Sequence, residues 1–175
     1  APDSVVVTVR RQQLPRADAG SDQSVVLTPT QSSIAVRLDG SRSSDADGTV
    51  GIYQWTGIPD PADVSRPTVS LTTPGVYVFR LVVTDNDGLR SAPDSVVVTV
   101  RRQQLPRAEA GSDQSVVLTP TQSSIAVQLD GSRSSDADGT VGTYQWSGIP
   151  DPADVSRPTV SLTTPGVYVF RLVVT

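Results

Sequence analysis

Val76-Tyr77-Val78-Phe79-Arg80-Leu81-Val82-Val83 is the stretch that decides the fold. Tyr77, Phe79, Leu81 and Val83 share one parity, while Arg80 and then Thr84 take the other. Successive side chains of a strand point to opposite faces, so this spacing predicts a β-strand with one buried face. Ile34, Val36 and Leu38 repeat the pattern around Arg37. Working outward, strands are predicted at Ser24–Leu27, Ile34–Leu38, Val50–Trp55, Thr68–Leu71, Val76–Val83 and Ser95–Val100. Clusters of Gly, Pro and Asp separate these runs and no stretch carries a helical period. The pattern predicts an all-β fold, an antiparallel sandwich.

The chain then says nearly the same thing twice. Residues 92–175 align with 1–84 in one register, 91 positions apart, and 80 of the 84 pairs are identical. The differences are Asp18/Glu109, Arg37/Gln128, Ile52/Thr143 and Thr56/Ser147. A period of this length marks a tandem array of whole domains. Arg37, Ile52 and Thr56 lie on the parity opposite to Val36, Tyr53 and Trp55, where a change of polarity costs little.

The frame of the repeat yields three segments. Residues 1–12, with Asp3–Val9 as a strand, read as the last strand of a preceding repeat, either an orphan or a donor. Residues 13–103 form a complete domain, and residues 104–175 a second domain lacking its last strand. The chain has no Met, and it is expected to be a window onto a longer array. A sheet edge left open by a missing strand is a template for another chain's strand, so Asp3–Val9 of a neighbour is a candidate partner. Repeated head to tail, such donation builds filaments. An arbitrary boundary explains the same frame.

Composition removes several classes of function. All fourteen basic residues are Arg, and the chain has no His and no Cys. Disulfides, thiol chemistry, Lys-based isopeptide crosslinks and the commonest general base are therefore unavailable. The carboxylate pairs sit in Ser- and Gly-rich surroundings with no apolar pocket to raise one pKa, and no catalytic role is expected. A net charge of −4 disfavours nucleic acid and anionic membranes as partners. No apolar run reaches the ~20 residues of a membrane-spanning helix.

Ala17-Asp-Ala-Gly-Ser-Asp-Gln23, Leu38-Asp-Gly-Ser-Arg-Ser-Ser-Asp-Ala-Asp-Gly48, Tyr53-Gln-Trp55 and Tyr77-Val-Phe-Arg-Leu-Val-Val-Thr-Asp-Asn-Asp-Gly88 follow one another in order. Together they resemble the landmarks of the PKD (polycystic kidney disease) domain, and the second copy carries all but the last. The resemblance implies tandem Ig-like, PKD-type β-sandwiches of the kind found in bacterial and archaeal secreted or surface proteins. There they serve as spacers or interaction modules beside other domains. Family members often continue after the Trp with Asp-Phe-Gly-Asp-Gly, whereas Trp55 here is followed by Thr56-Gly-Ile-Pro-Asp60.

Some PKD-like domains bind Ca2+ through the acidic turn and a residue at the domain start. The resemblance carries that role onto Asp18, Asp45 and Asp47, and onto Glu109, Asp136 and Asp138, with Asp39 and Asp130 as supporting ligands. Two carboxylates two apart, followed by Gly, suit an ion that takes six to eight oxygens. The same Ser-Ser-Asp-Ala-Asp-Gly residues also make a good turn without any ion, and Asp85-Asn-Asp-Gly88 reads as a hairpin turn. The linker Arg101–Ala108 has one Pro and no Gly, which favours extended backbone.

The sequence therefore predicts a non-enzymatic spacer or stalk of a large extracellular or cell-surface, adhesin-like protein, with neighbouring repeats as its partners. A filament subunit assembled through Asp3–Val9 is the second reading. A polysaccharide-binding module is the third, and it needs exposed aromatics, whereas Tyr53, Trp55, Tyr77 and Phe79 fall on inward parity.

Overall fold

Each strand of the first repeat forms where the alternation places it. The computed structural model describes residues 2–175, which fall into two units, 2–102 and 103–175. In the first unit the strands are β1 (Gln23–Leu27), β2 (Ile34–Arg37), β3 (Val50–Thr56), β4 (Thr68–Leu71), β5 (Gly75–Asp85) and β6 (Asp94–Arg102). One sheet has the order β1-β6-β5-β3, and β2 pairs with β4 in a second. The two sheets enclose one apolar core, which includes Leu27, Trp55, Phe79, Leu81, Val96 and Val98 from one side and Val36, Val69 and Leu71 from the other. Burial of each such side chain stabilises the fold by about 1.5–3 kcal/mol.

The pairing is antiparallel except at one place. β1 runs parallel to β6, with Gln23 opposite Val98 and Val25 opposite Val100. β6 also pairs antiparallel with β5, Phe79 facing Val96 and Tyr77 facing Val98. β6 is thus an interior strand that completes the ladders on both its sides. Its inward residues Val96, Val98 and Val100 are 0–2% exposed. Two side chains fix its start: Ala19 N donates to Asp94 Oδ2 at 2.8 Å, and Val97 N donates to Asp22 Oδ1 at 2.8 Å.

The second unit repeats part of this plan with β7 (Ile125–Gln128), β8 (Tyr144–Ser147), β9 (Thr159–Leu162) and β10 (Arg171–Val174). β7 pairs with β9 and β8 with β10, both antiparallel. The counterpart of β1, residues 114–118, forms no strand, and of the long β5 counterpart only Arg171–Val174 does. The sequences are the same, so local propensity is not the cause. In the first unit β1 pairs only with β6, and the first half of β5 pairs with it too. Without a β6, neither segment has a ladder partner. Phe170 and Leu172 are consequently only half-buried, and Ala108 and Ala110 are exposed, whereas Phe79, Leu81, Ala17 and Ala19 are buried.

The expected strand Asp3–Val9 has no strand partner among the described residues, and Val5, Val6, Val7 and Val9 are 78–89% exposed. The place this sequence would take in the first unit already holds its identical copy, β6. The linker is shorter than predicted. β6 continues to Arg102, and Arg107 already bridges Ser135, as Arg16 bridges Ser44. Leu105 is exposed. Three of the four differences between copies, at positions 37/128, 52/143 and 56/147, fall on exposed residues, as the parity predicts.

Candidate functional site

The acidic turn between β2 and β3 packs against the β5–β6 hairpin. Thr49 N donates to Asn86 Oδ1 at 2.7 Å and Asn86 N donates to the Thr49 carbonyl at 3.0 Å. Gly48 is required by this approach: a Cβ there would lie 2.6 Å from Asp45 Oδ2 and closer still to Asn86 Oδ1. Asp45 Oδ1 is shielded from solvent and has no hydrogen-bond partner among the described residues. Desolvation, reinforced by the charges of Asp47 and Asp85, raises the Asp45 carboxyl above the usual carboxylate range. A hydrogen bond from the Asp47 backbone opposes that shift only in part. Asp47 Oδ2 in turn accepts from Gln13 N at 3.0 Å, tying the turn to the start of the domain.

The structure groups Asp45 with Asp47, and Asp136 with Asp138, whose Oδ2 accepts from Gln104 N at 3.0 Å. It places Asp18 elsewhere. Asp18 Oδ1 accepts from Gly20 N at 3.0 Å and pairs with Arg42 at 3.5 Å. Glu109, one methylene longer, has its backbone N–H on Ser134 Oγ at 3.0 Å and shows no such ion pair among the described residues. No group of three His, Cys, Asp or Glu residues is poised to hold a metal among the described residues. The partly desolvated Asp45 oxygen and the neighbouring carbonyl and amide oxygens fit a hard cation in chemical type.

Two further residues lie beside the turn. Asp85 and Asn86 read in the sequence as a hairpin turn, which they do form: Asp85 Oδ1 accepts from Asp87 N and Leu89 N at 2.9 and 2.8 Å. Their approach to Asp45 depends on the β3–β5 pairing, Val50 opposite Asp85, which no local pattern reveals.

Asp39 and Asp130, the proposed supporting ligands, are committed to other partners. Asp39 Oδ1 accepts from Ser41 N at 3.0 Å, Ser41 Oγ at 2.6 Å and Arg66 Nε at 3.1 Å. Arg66 Nη2 also donates to Ser41 Oγ at 2.9 Å. The Ser41 bonds, then Arg66, lower the Asp39 carboxyl to about 2. Asp130, Ser132 and Arg157 reproduce the arrangement, and Asp130 also falls to about 2. This cluster ties Arg66, and Arg157 in the second unit, to the Asp-Gly-Ser turn. Trp55 and Phe79 are buried and Tyr53 and Tyr77 half-buried, which gives no exposed aromatic platform for a sugar.

A second feature lies in the second unit. Between Gly111–Val116 and Gly166–Phe170 runs a groove of about 610 Å³, floored by Val127, Leu129, Trp146 and Leu162. It lies where β6 lies in the first unit.

Two sheets packed over a buried Trp, with the Leu-Asp-Gly-Ser turn beside it, define an Ig-like β-sandwich of the PKD type. More specifically, the chain belongs to the K319L-like PKD domain family, whose model matches residues 19–100 and 110–175. It is similar to the mouse dyslexia-associated protein KIAA0319 homolog, 38% identical over 191 residues, covering 98% of this chain and 17% of that protein. Human dyslexia-associated protein KIAA0319 is 35% identical over the same shares. Among solved structures, the PKD domain of KIAA 1837 protein is 32% identical with a TM-score of 0.41, covering 61% of this chain and all of that one. The chain thus spans less than a fifth of these curated relatives. They are animal proteins, and the bacterial or archaeal setting suggested by the resemblance finds no support in them.

Proposed function

We propose that the chain is a non-enzymatic spacer segment of a larger extracellular or cell-surface protein, its repeats adding length between other domains. The observation that carries this reading is the tandem repetition of a whole PKD-type sandwich with its exposed face free to vary. Three of the four differences between copies fall on exposed side chains, which is the tolerance of a part used for its shape. The residue inventory supports the same reading. With no His, Lys or Cys, no base stands ready to activate the many Ser hydroxyls.

A length series tests this. Small-angle scattering on one, two and four repeats should give a maximum dimension that grows in proportion to repeat number. A dimension that stays constant as repeats are added would rule the spacer out.

The solvent-shielded, unpartnered Asp45 Oδ1 favours a second role, Ca2+ binding at the acidic turn that stiffens the domain start. Asp45 and Asp47 would hold the ion, with Asp136 and Asp138 in the other copy. The carboxyl groups of Asp18 and Glu109 would have to turn toward it. Calorimetric titration of the EDTA-stripped chain with Ca2+ decides the point, and absence of binding at millimolar Ca2+ removes this role.

A further inference from the structure

We propose that one end of each sandwich is a modification site, an acceptor rim for O-linked N-acetylgalactosamine, with Thr30 and Thr121 as its principal acceptors. The extracellular setting serves only to bring the chain to a transferase, and the site is otherwise independent of the spacer reading.

Two segments far apart in sequence build the rim. In the first unit the β2–β4 ladder ends with Ile34 opposite Leu71, which sets the β1–β2 loop, residues 28–33, beside the β4–β5 loop, residues 72–74. The second unit repeats the pairing with Ile125 opposite Leu162, and so brings residues 119–124 beside 163–165. The loops read Thr-Pro-Thr-Gln-Ser-Ser and Thr-Thr-Pro in both copies, without a charged residue. Neither loop belongs to a ladder, and Pro29, Thr30, Thr72 and Pro74 are exposed, as are their counterparts Pro120, Thr121, Thr163 and Pro165. Ser and Thr crowded with Pro is the composition of O-glycosylated stalks. Here the fold assembles that composition from two loops, each too short to carry it alone.

Local geometry singles out Thr30. Gln31 N donates to the Thr28 carbonyl at 3.1 Å, closing a β-turn whose second position holds Pro29, where a fixed φ is favoured. Gln31 Oε1 also accepts from Thr28 N at 3.0 Å. Gln31 thus braces the turn and Thr30 stands at its tip. Thr30 Oγ1 approaches Thr28 Oγ1 only at 3.5 Å, the limit of a hydrogen bond, and Thr121 approaches Thr119 at 3.4 Å. Other hydroxyls are committed to the fold. Ser43 Oγ donates to the Gly40 carbonyl at 2.8 Å, Thr73 Oγ1 lies 2.8 Å from Tyr77 Oη, and Ser91 Oγ accepts from Val83 N at 3.0 Å. The rim offers oxygens that the sandwich does not need.

The co-substrate is a nucleotide sugar, UDP-N-acetylgalactosamine. Transfer forms a bond from Thr30 Oγ1 to the anomeric carbon of the sugar and breaks the bond from that carbon to the diphosphate. The hydroxyl proton passes to the departing uridine diphosphate. An exposed tip of small polar residues is also a preferred point of proteolytic nicking, and a sugar on it shields the backbone.

The test incubates purified residues 1–175 with a soluble polypeptide N-acetylgalactosaminyltransferase and UDP-N-acetylgalactosamine, followed by intact mass and fragmentation. Chain and enzyme are both purified, so the outcome does not depend on where the chain resides. The mass should rise by whole N-acetylhexosamine increments, with the sugar on Thr30 and Thr121. Thr30→Val/Thr121→Val should lose that sugar and keep the wild-type melting temperature, because both side chains are exposed. No incorporation overturns the proposal. So does sugar placed on Thr73 and Thr164 in preference to Thr30 and Thr121, or incorporation that the double variant leaves unchanged.

Discussion

The Trp55 indole N–H donates to the Val64 carbonyl at 2.9 Å, and Trp146 repeats the bond to Val155 at 2.9 Å. The backbone N–H of each Trp is also capped, by Asp63 Oδ1 at 2.8 Å and Asp154 Oδ1 at 2.9 Å. The loop that follows the Trp is therefore folded back over the strand that carries it. This explains how the sandwich accommodates Thr56-Gly-Ile-Pro-Asp60 in place of the commoner acidic turn.

Removing one partner from these bonds has a definite cost. Asp63→Ala leaves the partly buried Trp55 N–H without an acceptor, and the first unit should lose about 1–3 kcal/mol. Trp55→Phe keeps most of the packing and should cost about 1–2 kcal/mol from the lost indole bond, plus a contribution from the reduced volume. Urea denaturation followed by tyrosine and tryptophan fluorescence measures both. Equal stability of Asp63→Ala and wild type would show that the cap is dispensable.

The two phenylalanines at one repeat position should respond differently. Phe79 is 0% exposed under β6, and Phe79→Ala should cost about 3–5 kcal/mol. Phe170, half-buried at the open groove, should cost clearly less. Denaturant unfolding of the two variants, with the loss assigned to each unit, checks the order. Equal losses would mean that the second core is as closed as the first.

The Asp39 and Asp130 clusters predict an acid-dependent loss. Each carboxyl titrates near 2 in the folded protein, below the ordinary 3.8. A folded value below the unfolded one stabilises the ionised form. The contribution is complete above about pH 3.8 and disappears as the pH falls through about 2. Both groups are exposed, so the effect is modest. Melting temperatures of Asp39→Asn/Asp130→Asn and wild type should differ at pH 5 and converge toward pH 2. A difference that persists undiminished at pH 2 would assign the effect to packing.

Asp45 carries the opposite sign. Desolvation raises its carboxyl, so ionising it above the unfolded value works against folding. In EDTA at pH 7, Asp45→Asn should therefore melt higher than wild type, with the gain shrinking as the pH falls through the raised folded value and gone below the ordinary carboxylate range, about pH 4. On the proposed Ca2+ role the order should reverse in millimolar Ca2+, because wild type would then gain a bound ion that the variant could not hold. Thermal scans in both buffers separate the two, and a lower melting point for Asp45→Asn in EDTA would mean the carboxylate is stabilising as it stands.

Much of the fold was legible because alternation is a local property. Thr68–Leu71 was predicted to the residue, and the other strands of the first repeat differed only at their ends. The inward parity of Phe79 and Leu81, and the outward parity of Ile52, followed from the same rule. The candidate site was legible only in part. The Asp45/Asp47 pair could be read from its spacing, but Asp18 was drawn off by Arg42, and Asp39 by Arg66, 27 positions away.

What the sequence by itself determined is the repeat, the strand positions, the buried faces and the absence of His, Lys and Cys chemistry. What only the tertiary structure decided is which of two identical segments becomes a strand. Gln23–Leu27 is β1 while residues 114–118 form no strand, and Asp94–Arg102 is an interior strand while Asp3–Val9 pairs with no strand among the described residues. The reason is physical: alternation is written into each segment, but a β-ladder is a bond between segments, and a strand exists only where its partner does.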